Sequence, residues 1–121
     1  MIEILTGFPA NVVAVACKGH VTRQDYETTL IPLVEKALER HDKVRLYYEI
    51  GADFEAIEPG AVWEDFKIGM EHLLRWERVA VVTDVDWIGN TIRFFGFMIP
   101  GAVRIFPTAE LSQARDWVVA A

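Results

Sequence analysis

The sequence predicts an α/β domain in which about four helices flank a mostly parallel sheet of about five strands. Short apolar runs alternate along the chain with segments of helical periodicity ten or more residues long. One run, Val-Ala-Val-Val-Thr at residues 79–83, is wholly apolar, as central parallel strands are. With 121 residues the chain is long enough to bury one core without disulfides or metals, so residues 1–121 are predicted to form a single domain.

The predicted strands are residues 2–5, 12–18, 44–50, 79–83 and 103–106. The run at 12–18 is small and β-branched, which is typical of a strand covered on both faces, whereas the run at 44–50 alternates between apolar and polar positions. The first strand precedes any helical crossover, and we expect it to join the sheet as an antiparallel edge.

Four helices are predicted at residues 22–40, 62–74, 86–100 and 108–119. Thr22 and Asp25 have the spacing of a capping box at the start of the first helix. Pro32 lies inside that helix and predicts a kink, because it removes one backbone hydrogen bond.

The segment 86–100 is the most unusual of the four, because its apolar arc is wider than one core-facing stripe requires. The apolar positions form two adjacent lines at helical spacing: Ile88, Ile92, Phe95 and Ile99, and beside them Trp87, Thr91, Phe94 and Met98. Phe97 lies outside both lines. We therefore expect part of this helix to contact a ligand, a partner or a lipid.

Composition and charge exclude several classes of partner. The formal net charge is −6, from 12 basic and 18 acidic residues, which argues against a nucleic-acid partner. The charge-free run between Arg93 and Arg104 has half of the ~20 residues that a transmembrane helix needs. The first residues lack the pattern of a secretory signal and Cys17 is the single cysteine, so a cytoplasmic protein is expected, with peripheral membrane association left open.

Residues that could perform chemistry are few. Ser112, the one serine, lacks a nucleophile-elbow context, and the three histidines lack metal-ligand spacing, so no cofactor or metal is expected. Glu49, Asp84 and Asp86 lie at predicted carboxyl ends of strands, where α/β folds place ligands, and an enzyme that uses them is a remote alternative. Asp84 and Asp86 are equally explained as helix N-caps.

Four segments together carry a family resemblance: Gly-His-Val-Thr-Arg-Gln-Asp-Tyr at 19–26, Ala-Val-Trp-Glu-Asp-Phe-Lys at 61–67, Arg-Val-Ala-Val-Val-Thr-Asp at 78–84 and Ala-Arg-Asp-Trp at 114–117. In this order and spacing they resemble the SpoIIAA-like family of the STAS superfamily. The resemblance implies a sheet flanked by helices, related in fold to CRAL-TRIO lipid-transfer domains, and typically no catalytic activity. Binding of small apolar ligands or of membrane surfaces has been considered for the family, and the resemblance extends this expectation to the present chain.

The chain departs from the anti-sigma antagonists of that superfamily at one place. Those proteins carry a phosphorylatable Ser or Thr just after the third strand, whereas residues 51–63 here contain no hydroxyl residue. This segment is predicted to be an acidic loop bearing Asp53, Glu55 and Glu58. A kinase-controlled switch is therefore not expected at this position.

These observations predict a non-enzymatic module that binds a small apolar ligand, or a membrane surface, through the helix at 86–100. The predicted binding residues come from two consecutive helices: Trp63, Phe66 and Met70 from the first, and Trp87, Ile88, Thr91, Phe94, Phe95, Phe97 and Met98 from the second. The alternative is a STAS-type protein-binding regulator that uses Asp53, Glu55, Glu58, Asp84 and Asp86. A homodimer sealed by the same helix is also expected.

Overall fold

Four parallel strands and one antiparallel strand form a single sheet in the computed structural model, which describes residues 1–58, 60, 67, 73–96 and 101–120. The strands are β1 (Ile2–Ile4), β2 (Val12–Val21), β3 (Val44–Ile57), β4 (Trp76–Thr83) and β5 (Ala102–Phe106), and they lie side by side in that order. Strands β2 to β5 run parallel, and β1 pairs antiparallel with β2. The predicted α/β class, the mostly parallel sheet and the antiparallel first strand are confirmed.

Three helices lie within the described residues. Helix α1 (residues 23–40) has three consecutive parts, Arg23–Asp25, Tyr26–Leu30 and Ile31–Arg40, of which the middle one is π-helical. Helix α2 is Asp86–Gly96, and helix α3 is Leu111–Val119, preceded by a 3₁₀ turn at Thr108–Glu110. Most of the predicted helix at 62–74 lies outside the described residues; its last two residues belong to a 3₁₀ turn, Leu73–Arg75.

The distortion predicted at Pro32 lies in the turn of helix α1 that precedes it. Pro32 is in the first turn of the part Ile31–Arg40, and the π-helical turn precedes it at Tyr26–Leu30. Because helix precedes Pro32, its missing N–H removes one backbone hydrogen bond and its ring crowds the preceding turn. That preceding turn is the wider, π-helical one. The predicted capping box is present: Asp25 N–H donates to the Thr22 hydroxyl at 3.1 Å, and Thr22 N–H donates to the Asp25 carboxylate at 2.9 Å.

Strand β3 continues to Ile57, so the predicted loop that bears Asp53 and Glu55 is wrong. Past a register shift near Gly19, β3 goes on pairing with β2, and the last two pairs are His20 with Ala56 and Val21 with Ile57. This pairing gives hydrogen bonds to backbone groups that would be hydrated in a loop. In addition, Phe54 and Ile57 pack against the core. The acidic residues alone had suggested a loop, but their side chains are exposed on the strand.

The two faces of the sheet carry separate apolar clusters. The first face is covered by α1 and α2, whose side chains Leu30, Val34 and Ile88 pack with strand residues such as Val15 and Val81. The second face is covered by α3, and its cluster consists of Val12, Ala14, Tyr47, Ala80, Val82, Phe106, Ala114 and Val118. Each helix thus buries one stripe, and the strands between them are buried on both faces.

Arginines from the strands and from the turn before β4 hold the carboxyl ends of two helices. Arg75 donates to the carbonyl oxygens of Leu38 at 2.6 Å and His41 at 2.7 Å at the end of α1. Arg45 and Arg78 both donate to the carbonyl of Ala120 at the end of α3, at 2.5 and 3.1 Å. A cation at a helix carboxyl end satisfies unpaired carbonyls and interacts favourably with the helix dipole. These contacts hold the carboxyl ends of α1 and α3 against the sheet.

A candidate docking surface at the carboxyl edge of the sheet

Helix α2 begins at the carboxyl edge of the sheet, three residues after the last residue of β4, and presents two different faces. Ile88 is 7% exposed and belongs to the first-face cluster, with Ile92 packed against it. Trp87, on the adjacent line, is 51% exposed, and the Thr91 hydroxyl donates to its carbonyl at 2.7 Å. The wide apolar arc predicted from the sequence is therefore divided: one line is core, and Trp87 marks an outward face.

The side chains of seven other predicted binding residues lie outside the described part of the structure. Phe94 lies in the described part of α2, but only its backbone and that of its neighbour Phe95 are described. Five other predicted binding residues lie outside the described residues: Trp63, Phe66, Met70, Phe97 and Met98. The candidate site is accordingly built on Trp87 and its surroundings.

A small open pocket of about 230 Å³ lies between the start of α2 and the end of β5. Its lining residues are Thr83, Asp84, Val85, Asp86, Gly89, Arg93, Ile105 and Pro107. A hydroxyl, two carboxylates and a guanidinium face this space, and its volume is below the roughly 300 Å³ at which drug-sized ligand pockets begin. Its size and lining suit a polar group or a side chain of a partner more than a lipid chain.

Asp84 is engaged within the protein. Its carboxylate accepts the backbone N–H of Thr108 at 3.0 Å and also the Thr108 hydroxyl proton. These hydrogen bonds, the hydroxyl one first, hold the pKa of Asp84 below its ordinary value. Asp84 therefore stays ionised near neutral pH and links the loop after β4 to the turn before α3. Asp86 is exposed in the first turn of α2, where its carboxylate favours the helix dipole.

The remaining predicted acidic residues lie along β3 and just after it. Asp53 and Glu55 are exposed, and Glu55 lies 3.9 Å from the His20 imidazole. Glu58 accepts the backbone N–H of Arg23 at 2.9 Å and so helps to begin α1. Ile50 on β3 pairs with Thr83, the last residue of β4. Asp53, Glu55 and Glu58 come after Ile50 in the chain, and Asp86 comes after Thr83. All four acids therefore lie toward the same edge of the sheet.

The three carboxylates of the enzyme alternative do not form one site. Glu49 lies on the second face of the sheet, where it accepts the Tyr47 hydroxyl proton at 2.7 Å. Burial, and then this contact with Glu49, raises the pKa of Tyr47. Asp84 has a lowered pKa, whereas a general acid or base works best with a pKa near the operating pH. The geometry of these three groups gives acid–base catalysis no support.

Several pocket residues were not predicted from the sequence. Gly89 and Arg93 lie on the polar side of the helical pattern, and the sequence predicts only a strand at Ile105 and a helix start at Pro107. Their position could have indicated a site, because each lies at a strand end or in the helix that follows one, which is where ligands bind in parallel sheets. Within the part of the chain that the structure covers, no group of three His, Cys, Asp or Glu side chains could hold a metal ion.

Comparison with known proteins agrees with this architecture. A model of the SpoIIAA-like family matches residues 12–119. The chain belongs to the SpoIIAA-like family. The crystal structure of an uncharacterized protein from the DUF3478 family with a SpoIIAA-like fold, from Shewanella loihica PV-4, matches with a TM-score of 0.73 and 25% sequence identity. The alignment covers 97% of this chain and 93% of that one. No curated protein matches.

A SpoIIAA-like domain is compatible with a regulatory or binding module, and the fold is generally non-catalytic. None of the helices that the structure describes is both long and apolar enough to cross a membrane. At the carboxyl edge of the sheet, the described surface includes Trp87, the small polar pocket and the exposed side chains of Asp53, Glu55 and Asp86, which we call the acidic rim.

Proposed function

We propose that this SpoIIAA-like chain is a protein-docking module whose contact surface is the outward face of α2, centred on Trp87. One observation carries the proposal: a tryptophan in the first turn of a helix, at the edge where parallel sheets bind their ligands, is 51% exposed. Tryptophan is the residue type most often found at the energetic centre of protein interfaces, because it buries a large rigid surface when a partner covers it.

The chemistry around Trp87 favours a protein over a small apolar molecule. The neighbouring pocket is small and has two carboxylates and a guanidinium in its lining, whereas sites for apolar ligands are lined mainly by apolar side chains. The predicted apolar-ligand site depends on aromatic side chains outside the described residues, and it stays a prediction.

Charge disfavours a membrane as the occupant. Peripheral proteins bind anionic lipid through clustered Lys and Arg, but Asp84 and Asp86 lie just before Trp87 in the chain, and the whole chain carries a net charge of −6. The complementary partner has basic groups around an apolar contact, since such a surface is attracted by the acidic rim while it covers the tryptophan. A second copy of this acidic chain is not complementary in this way.

The test is site-specific photo-cross-linking in the native cells, with p-benzoylphenylalanine at position 87. Position 4 provides a matched control, because Ile4 is 52% exposed and lies on the edge strand β1. We expect a discrete adduct with another protein from position 87 and none from position 4. The captured protein is then purified, and we expect Trp87→Ala to weaken its binding at least about tenfold while Ile4→Ala leaves it unchanged.

Two further arms distinguish the other occupants. The purified chain is centrifuged with vesicles of phosphatidylcholine, alone or with phosphatidylglycerol, and is titrated with oleate. Co-sedimentation or oleate binding that requires Trp87 would favour the lipid alternative and contradict protein docking. An adduct of twice the chain mass would instead place a second copy on this surface, as in the predicted homodimer.

A further inference from the structure

Strand β5 is the last strand of the sheet, and its outer edge is open among the residues that the structure describes. β5 pairs with β4 along Ala102–Phe106, and no other described strand lies beside it. Nor does any turn or loop hydrogen bond reach these residues in the part of the chain that the structure describes. An open strand edge presents backbone donors and acceptors at a fixed spacing, which an extended peptide can pair with as an added strand.

The two faces of β5 differ in chemistry. Val103 and Ile105 are half-buried and pack against the first-face cluster, below α2. Ala102 and Arg104 point to the other face and are exposed. Because side chains alternate along a strand, a strand added beside β5 would place one set of its side chains next to Val103 and Ile105 and the other set next to Arg104. An added strand that complements β5 would therefore alternate apolar residues with residues that can interact favourably with the Arg104 guanidinium.

The Arg104 guanidinium is held in place without an acidic partner. It lies over two aromatic rings, 4.7 Å from the centroid of Phe106 and 5.3 Å from that of Trp117. Among the described residues it forms no ion pair, although acidic residues outnumber basic ones in the chain by 18 to 12. Ring contacts restrict its conformations before a partner arrives, which lowers the entropic cost of a new ion pair.

From the open edge, the alternation and the charge, we infer that β5 accepts an extended acidic segment of a partner protein, with an Asp or Glu beside Arg104. This inference does not depend on the proposed role of Trp87. The same arginine disfavours a second copy paired edge to edge through β5 in the register centred on residue 104, because two Arg104 side chains would then face each other. The other open edge, β1, is three residues long, and its Glu3 already pairs with Lys18 at 2.9 Å.

Defined peptides test the inference. The first peptide is acetyl-Thr-Val-Glu-Val-Glu-Val-Thr-amide, and the second has Lys in place of both Glu residues. Binding to the full chain is followed by the amide NMR spectrum at 50 and 300 mM salt. We expect the Glu peptide to bind at least about tenfold more tightly than the Lys peptide at low salt, and to slow hydrogen exchange at residues 102–106. The preference should diminish at high salt.

Arg104→Glu should reverse the preference, so that the Lys peptide binds more tightly. Arg115→Glu is the matched control, because Arg115 is also exposed and lies over an aromatic ring, 4.8 Å from the centroid of Phe8. That variant should keep the preference of the wild type. If Arg104→Glu does not fold, Arg104→Gln provides the same test and should bind both peptides equally.

Three results would overturn the inference. The first is equal binding of both peptides by the wild type, or no binding of either. The second is a Glu-peptide preference that survives Arg104→Gln. The third is concentration-dependent self-association, seen by sedimentation, that protects residues 102–106 without any peptide, since this would assign the edge to a second copy.

Discussion

The carboxylate of Asp84 accepts two hydrogen bonds from Thr108, one from its backbone N–H at 3.0 Å and one from its hydroxyl. The two residues are 24 positions apart in the chain. Their contact joins the loop that leads into α2 to the turn that leads into α3, so the two helices on opposite faces of the sheet share one anchor at its carboxyl edge. The candidate docking surface is built on this anchor.

Replacing Asp84 by Asn should lower the melting temperature at pH 7, because the amide lacks the charge that strengthens both hydrogen bonds. The pKa of Asp84 is lowered in the folded protein. Its contribution is therefore fully present above the ordinary carboxyl pKa of about 4 and is lost as pH falls through the lowered value. The melting temperatures of wild type and Asp84→Asn, measured by circular dichroism from pH 7 to pH 2.5, should converge at the acid end.

Asp116→Asn is the control for this comparison, because Asp116 is exposed on α3 and the structure describes no hydrogen bond to its carboxylate. It should follow the wild type at every pH. A gap between wild type and Asp84→Asn that stays constant from pH 7 to pH 2.5 would contradict the assigned role of the carboxylate.

Replacing Arg45 by Gln should destabilise the fold by about 1.5–3 kcal/mol, the range for hydrogen bonds that involve a charged group. The Arg45 side chain is 12% exposed and donates to Glu77 at 2.5 Å and to the Val118 carbonyl at 2.9 Å. Its loss removes the donor to the Val118 carbonyl at the end of α3 and leaves the Ala120 carbonyl with Arg78 alone of the two arginines. Urea unfolding measures the change as a lower midpoint at unchanged slope. Arg40→Gln, at an exposed position at the end of α1, should change the midpoint little.

Replacing Gly101 by Ala should destabilise the protein by at least about 2 kcal/mol, in the range typical of backbone and overpacking effects. A Cβ atom at this position would lie directly against the carbonyl oxygen of Trp76 and 2.6 Å from that of Glu77, and neither backbone group can yield cheaply. Gly51→Ala is the matched control, since a Cβ on Gly51 meets nothing within 4 Å. Equal unfolding midpoints for the two variants would show that β5 does not start as described.

The sequence predicted the architecture because it depends on local patterns. The apolar runs that became β2, β4 and β5 and the capping box at Thr22 are read within a few residues, and the structure confirms them. The end of β3 was missed because Asp53 and Glu55 suggest a loop in isolation. Only the partner strand β2, more than thirty residues away, gives their backbone its hydrogen bonds.

The site was predicted in part, for a similar reason. Helical spacing placed Trp87 and Ile88 on adjacent lines of one wide apolar arc, but it could not say which line the sheet would cover. The contact between α2 and the first-face cluster decides this in favour of Ile88. The Asp84–Thr108 contact and the arginine caps join residues far apart in the chain, so no local pattern could reveal them.

The central claim, that the outward face of α2 is a docking surface, is tested most directly by ¹⁹F NMR. The chain contains four tryptophans, so labelling with 5-fluorotryptophan gives four signals, and Trp87→Phe assigns the one from Trp87. On addition of the protein captured by cross-linking at position 87, we expect the Trp87 signal to shift or broaden and that of Trp117, on α3, to stay unchanged. A Trp87 signal that stays unchanged while the partner demonstrably binds would contradict the account.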